Sequence, residues 1–438
     1  MSPDTDMNDL TRQRPKNNVN RPERAMSSIA LNDRSTALDK AAEGQPRPAG
    51  LPSEKRWELL QGLNEASHAV KATLFCSWLN IFLGLVPLGI MAGSLGWNSA
   101  TVFILNFLAI FPLAGLLSFA TEQLSASVGP TIGGLINATF GNAVEMIVGI
   151  TALSQGEIRI VQSSMIGSVL SGTLLVLGCC FFAAGYGRDT VKFNVGITGI
   201  MSSLMIVSSA SLLIPSALFA TTKLSDSRAL GQEIADLSHV TSIILLLFYL
   251  TYLYFQLKSH AHLFNDPDDE ADEAEGPELG PWAASTVLIM ATLGVTVCSD
   301  HVVETVDGVV EACNVSRAFI GLIVVPIIGN AGEFTSTVSA AKKGKLDLAI
   351  GMVVGSTLQI ALFVTPFLVI LGWIMGQPMT LHFNTFELAV FSLAVIVVNC
   401  LIRDGRTNYF EGLLLIGTYT IIAIGFYVHP DVRDSATL

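Results

Sequence analysis

The sequence predicts an all-α membrane protein of about eleven transmembrane helices: one extra amino-terminal helix, then two inverted five-helix repeats. Three observations carry this prediction. Of 438 residues, 51% are hydrophobic and 14% charged, and mean hydropathy is +0.56, a balance typical of membrane proteins. Apolar runs of roughly 20 residues, enough to cross a bilayer as a helix, recur along the chain. One pentapeptide occurs twice: Gly141-Asn142-Ala143-Val144-Glu145 returns as Gly329-Asn330-Ala331-Gly332-Glu333, 188 residues later. At that offset Gly156 falls on Gly344, Gly167-Ser168 on Gly355-Ser356, and Leu170 on Leu358.

Residues 1–65 form a polar tail rich in Asn, Arg, Asp, Ser and Pro. It lacks the apolar core of a cleavable signal peptide and is expected to be disordered. Spanning runs follow at 72–92, 98–120, 130–154, 162–185, 194–220, 236–257, 282–300, 316–341, 347–375, 383–402 and 407–428. The implied organisation is an extra first helix at 72–92, a first repeat at 98–257, an acidic linker at 259–281, a second repeat at 282–428 and a short tail at 429–438. Eight acidic side chains lie between Asp266 and Glu278, so the formal charge of −12 is partly one local run.

Orientation follows from basic residues. With a cytosolic amino terminus, Lys55, Arg56, Lys71, Arg188, Lys192, Lys258, Lys342, Lys343, Lys345, Arg403 and Arg406 are cytosolic, against Arg159, Lys223, Arg228, Arg317 and Arg433 on the far side. That bias favours a cytosolic amino terminus. The two motifs lie on the third and eighth spans. Five spans apart, they run antiparallel, which makes the repeats inverted and able to open one central site alternately to either side.

An ionisable residue inside a membrane is expensive and marks a functional site by default. Glu145 and Glu333 are such residues, and Asn142 and Asn330, three positions earlier, share their helix faces. Ser164, Ser168 and Ser171 form a polar stripe on the next helix, matched in the second repeat by Ser356 and Gln359. Pro326 removes an N–H that would bond the carbonyl of Leu322, and Gly141 and Gly329 permit close approach or unwinding. An oxygen-rich pocket with two carboxylates suits a hard divalent cation, Ca²⁺ above all, which takes about 6–8 oxygen ligands. No His or Cys lies in the motifs, which argues against a soft-metal site. The six cysteines have neither metal-ligand nor disulfide-framework spacing and read as buried small hydrophobes. Asn137-Ala138-Thr139 and Asn314-Val315-Ser316 match the glycosylation pattern, the first within a helix and the second too close to a helix to be used.

The stretch Gly133–Glu145, the stretch Phe319–Glu333, and Tyr254–His260 leading into the acidic run together resemble the Ca²⁺/cation–proton antiporters (the CAX family) of fungal and plant vacuoles, within the cation/Ca²⁺ exchanger superfamily. The resemblance spans about 70–430. It implies a cation and proton site at Glu145 and Glu333, the metal-binding carboxylates, with Asn142 and Asn330 as oxygen ligands. Ser168, Ser356 and Gln359 line the path, and Glu122 stands in a vestibule. One departure is notable: the family's second motif usually continues with a histidine, and Phe334 stands there.

Asp300, Glu304, Asp307 and Glu311 around the exit of the seventh span are read as interfacial or as cation-concentrating. Glu387, opening the tenth span, is read as interfacial or as part of a proton path. The expected function is exchange of cytosolic Ca²⁺, or other divalent cations, for protons of an acidic organelle, in a vacuolar membrane. A Na⁺-coupled or Mn²⁺-preferring exchanger of the same fold is the alternative. No cofactor is expected, Ca²⁺ and protons being transported substrates, and there is no nucleic-acid footprint. A homo-oligomer and cytosolic regulators of the tail stay open as partners. An intramembrane enzyme is disfavoured because the chain has no His-Glu-x-x-His motif, P-loop or Ser/His pairing.

Overall fold

A computed structural model describes residues 70–73, 77–221, 227–261 and 278–428. The tail at 1–65, most of the acidic linker and the tail at 429–438 lie outside the described residues. The architecture is helical: α1 (Leu79–Ser94), α2 (Ser99–Ser127), α3 (Pro130–Phe140), α4 (Ala143–Ser154), α5 (Ile158–Gly185), α6 (Val195–Thr221), α7 (Gly231–Ser259), α8 (Pro281–Glu304), α9 (Val306–Cys313), α10 (Arg317–Gly329), α11 (Ala331–Lys342), α12 (Leu346–Met375), α13 (Thr385–Arg403) and α14 (Tyr409–Val428). A two-residue antiparallel pairing of β1 (Val191–Lys192) with β2 (Arg406–Thr407) joins two loops.

Among the described residues, eight helices are long and apolar enough to cross a membrane, or up to ten if each of two bent pairs is one span. Each of the eleven sequence windows falls on a helix or helix pair, but length and composition alone do not reach eleven. α1 is shorter than a full span, and the window at 316–341 is interrupted at Asn330 between α10 and α11. α9 is an addition. Its eight residues bury Val306 and Val309 and expose Asp307 and Glu311, an amphipathic turn that a search for long apolar runs passes over.

The inversion is visible directly in hydrogen bonds. At the start of α5, Gln162 Nε2 donates to the Thr380 carbonyl (2.9 Å) and Arg159 Nη2 to Glu387 Oε1 (3.1 Å), both groups lying just beyond the end of α12. Past the end of α5, the Asn194 N–H donates to Asp347 Oδ1 (2.5 Å) in the first turn of α12. Equivalent helices of the two repeats therefore run antiparallel. The face holding Asn194, Asp347 and the β pairing is called the near face below, and that holding Arg159 and Glu387 the far face.

Packing is reciprocal, as a pseudo-two-fold axis requires. α11 packs on α2 as α4 packs on α8, α7 packs on the end of α12 as α14 packs on the end of α5, and α2 meets its equivalent α8. The duplication reaches the backbone. Gly156 and Gly344 end α4 and α11 at φ +80° and +91°, each followed by a matching pair of turn hydrogen bonds. A π-helical segment interrupts α5 at Ser171–Val176 and α12 at Ile360–Val364, again at corresponding positions.

Candidate functional site

Both motifs break their helices in the middle of the molecule. α3 and α4 meet at a bend of 41° at Gly141-Asn142, and α11 restarts after Asn330. Glu145 and Glu333 each lie in the first turn of the restarted half-helix. There the unpaired N–H groups and helix dipole favour negative charge. The break frees backbone groups that need partners: the Ala138 carbonyl accepts a hydrogen bond from Tyr249 Oη (3.1 Å).

The side chains around the two glutamates come from both repeats. Asn142 Nδ2 donates to Gln359 Oε1 (2.6 Å), and Ser356 Oγ donates to Asn142 Oδ1 (2.8 Å). The equivalent Asn330 Nδ2 donates to the Ser168 carbonyl (3.3 Å). Glu333 interacts with the Ser356 hydroxyl and lies within electrostatic reach of Glu145. Gly329 packs on the side chain of Glu145 so closely that a methyl group there would sit 2.9 Å from Oε1. Seven of the eight residues expected at the site are thus brought together: Glu145, Glu333, Asn142, Asn330, Ser168, Ser356 and Gln359.

Glu122 is the eighth. It is exposed near the end of α2, one turn beyond Ser118, which with Ala114 packs on Gly332. Phe334 is 37% exposed and places no titratable group beside Glu333. The other acidic residues weighed from the sequence are mostly tied into the far face. Gln155 donates to Asp300 (2.7 Å), and Arg317 bridges Glu157 (2.9 Å) and Asp307 (2.6 Å). Glu304 is 3.7 Å from His301. Glu387 is a buried capping residue. Among the described cysteines, Cys180 and Cys298 are buried, Cys179 is half-buried, and Cys313 and Cys400 are exposed.

The site is asymmetric. Glu145 (5% exposed), Asn142 (2%), Asn330 (3%) and Ser168 (2%) are buried, whereas Glu333, Ser356 and Gln359 are partly accessible. The accessible oxygens of Ser356 and Gln359 belong to the half of α12 that starts at the near face. The contact between α10 and the first half of α5 is tight, and Gly167 lies under the Leu322 carbonyl, four residues before Pro326. Among the described residues, α3 makes no comparable contact with the first half of α12. The far-face seam is shut and the near-face one is not.

Asn330 Oδ1 is buried and accepts no hydrogen bond, a cost of roughly 1–3 kcal/mol that a cation ligated there would recover. No group of three or more His, Cys, Asp and Glu side chains among the described residues is placed to hold a metal. A cation at this site would therefore be held by two carboxylates and neutral oxygens, which is hard-cation chemistry.

Sequence reasoning missed the Tyr249 bond and the π segments. Ser171, the repeat equivalent of Gln359, was visible only as a stripe member; it is buried.

Comparison with known proteins agrees with this architecture. The profile of the family described as sodium/calcium exchanger protein matches residues 98–258 and again 284–428. A vacuolar calcium ion transporter of Schizosaccharomyces pombe is 44% identical over 361 residues, covering 82% of this chain and 87% of its own length. Vacuolar cation/proton exchanger 2 of Arabidopsis thaliana is 42% identical over 382 residues, covering 84% and 85%. The crystal structure of the Ca²⁺/H⁺ antiporter protein YfkE superposes with a TM-score of 0.67 at 35% identity, over 80% of this chain and 99% of that one. With both of its repeats matched, the chain belongs to the sodium/calcium exchanger family.

Proposed function

We propose that this protein is a secondary active transporter, not an enzyme, that exchanges cytosolic Ca²⁺ for protons of an acidic organelle. The observation that carries this reading is the pair Glu145 and Glu333, supplied to one pocket by inverted repeats that Asn142 ties together through Ser356 and Gln359. Relatives at 42–44% identity are named for vacuolar calcium transport and cation/proton exchange, which supports a multi-pass vacuolar membrane location and proton coupling. The near face, with its basic loops, is assigned to the cytosol. The tail at 1–65 and the linker at 259–281 then lie on the cytosolic side, between and before the two repeats.

The mechanism follows from desolvation. Two carboxylates in a water-poor pocket repel each other, and an uncompensated pair of charges there costs several kcal/mol per ion. Ca²⁺ cancels the charge and is ligated by the glutamates, with Asn142 and Asn330 as further oxygen donors. Protons cancel it in the absence of Ca²⁺. A site loaded either way is able to exchange faces, while an empty dianion is held back. Obligatory exchange results, and acid on the luminal side displaces Ca²⁺ there.

The test is Ca²⁺ uptake into proteoliposomes with an imposed pH gradient, with and without Na⁺. Proton-driven uptake that is indifferent to Na⁺ is expected. Uptake that requires a Na⁺ gradient would overturn the proton coupling.

A further inference from the structure

We propose that Glu387 is a positioning residue for the transport cycle: its carboxylate grips the first turns of α5 and keeps the far-face seam shut. This rests on the alternating-access reading above. Glu387 is 1% exposed although it sits in the first turn of α13. It accepts three hydrogen bonds. One, from the Asn384 N–H (3.1 Å), belongs to its own helix cap. The other two, from Ser163 Oγ (2.8 Å) and Arg159 Nη2 (3.1 Å), come from neighbouring turns of α5 in the other repeat.

The gripped turn is also the one that forms the closed seam. A side chain at Gly321 of α10 would strike Ser163 and the Ile160 carbonyl, and Gly167, one turn on, meets Leu322 and Pro326. α5 is therefore clamped between α10 and α13. Opening the site to the far face requires α5 to part from α10, and Glu387 resists that from the other side.

The near face carries the repeat equivalent of this tie with different chemistry. Asp347 occupies the position of Arg159, and it accepts the N–H of Asn194, the capping residue of α6 that corresponds to Asn384. There one exposed hydrogen bond joins the same two elements, across a seam that is not shut. At the far face the charge is swapped: the carboxylate comes from α13, is buried, and is met by a guanidinium. A cap alone needs no Arg159. Charge-assisted bonds are roughly twice as strong as neutral ones, so the far-face tie is the stronger.

The other charged groups at this corner have their own partners. Arg159 is partly open to water and also donates to Gln162 Oε1 (3.3 Å), while Glu157 is taken by Arg317. His382 precedes the cap of α13, where burial and the Arg159 charge hold its imidazole below the usual histidine range.

The experiment uses a reporter cysteine at the buried Ser164 of α5 (2% exposed), in the full chain reconstituted without Ca²⁺. Alkylation by a membrane-impermeant thiol reagent from the far side is compared with the parent lacking that cysteine. With Glu387 intact, labelling should be slow. Glu387→Gln should raise the rate about tenfold, the loss expected for a charge-assisted bond. Arg159→Gln, which leaves cap and Ser163 bond in place, should raise it by less. Labelling of Glu387→Gln as slow as that of the reporter protein would overturn the proposal. So would labelling of Arg159→Gln as slow as that of the reporter protein, which would leave the guanidinium without a share in the tie. Labelling reads the seam whatever ion is carried, so a failure here is separable from failure of Ca²⁺/H⁺ exchange in the uptake assay.

Discussion

Gly329→Ala tests the geometry of the site with a single methyl group. The added carbon would lie 2.9 Å from Glu145 Oε1 and 3.0 Å from its Cδ and Cγ. Relaxed contacts between such atoms are about 3.5–4.0 Å, so the Glu145 side chain must retreat by roughly half an ångström or more. Glu145 is 5% exposed and has little room to do so. Binding groups must be held within about 0.5 Å of productive geometry, and a 1 Å displacement can cost about a hundredfold. A rise of about 10- to 100-fold in half-saturating Ca²⁺ is expected, or ~1.4–2.7 kcal/mol. The assay is Ca²⁺ uptake by purified protein in liposomes, with size-exclusion elution as the check on folding. Gly351→Ala is the control, because a methyl there meets nothing within 4 Å. A folded Gly329→Ala protein with parental Ca²⁺ affinity would refute the placement of Glu145 in the cation site.

Three further outcomes follow from the same geometry. Glu145→Gln and Glu333→Gln should each abolish exchange in a folded, inserted protein, because one remaining carboxylate leaves a divalent cation short of several kcal/mol of charge compensation; near-normal flux from either variant would exclude that residue as a ligand. Asn142→Ala removes two cross-repeat bonds and should cost about 2 kcal/mol, while Asn330→Ala removes a single longer bond and should cost less, both read as thermal unfolding of the Ca²⁺-free protein. Cysteines placed within 266–278 and at the carboxyl terminus should label from opposite sides of the membrane; labelling of both from the cytosol would contradict the crossing count.

The duplicated glutamates were legible because membrane burial makes a carboxylate conspicuous, and because one offset aligned Asn142, Ser168 and Gly156 with Asn330, Ser356 and Gly344. Pro326 likewise pointed to the Leu322 carbonyl, which the structure sets over Gly167. Other features left no such trace. The π segments at Ser171–Val176 and Ile360–Val364 arise from tertiary packing on sequences with ordinary helical composition. α9 is too short to register as an apolar run. The asymmetry between Glu145 and Glu333 is a property of one conformation, and two near-identical motifs cannot encode it. Glu387 read only as interfacial or as part of a proton path, because Arg159 and Ser163, its partners, lie more than 200 positions away in the chain.

The central claim is that Ca²⁺ and protons compete for the carboxylates of Glu145 and Glu333. It is tested most directly by measuring Ca²⁺ affinity of the purified protein from about pH 5 to pH 8, a window that begins above the ordinary glutamate value of about 4.3 and covers strongly perturbed carboxyl titration. Protonation removes the charge that binds Ca²⁺, so affinity should fall steadily as pH drops on the binding side, with protons released when Ca²⁺ is added to the metal-free protein. An affinity that stays constant across that range, with no proton release, would contradict the shared site.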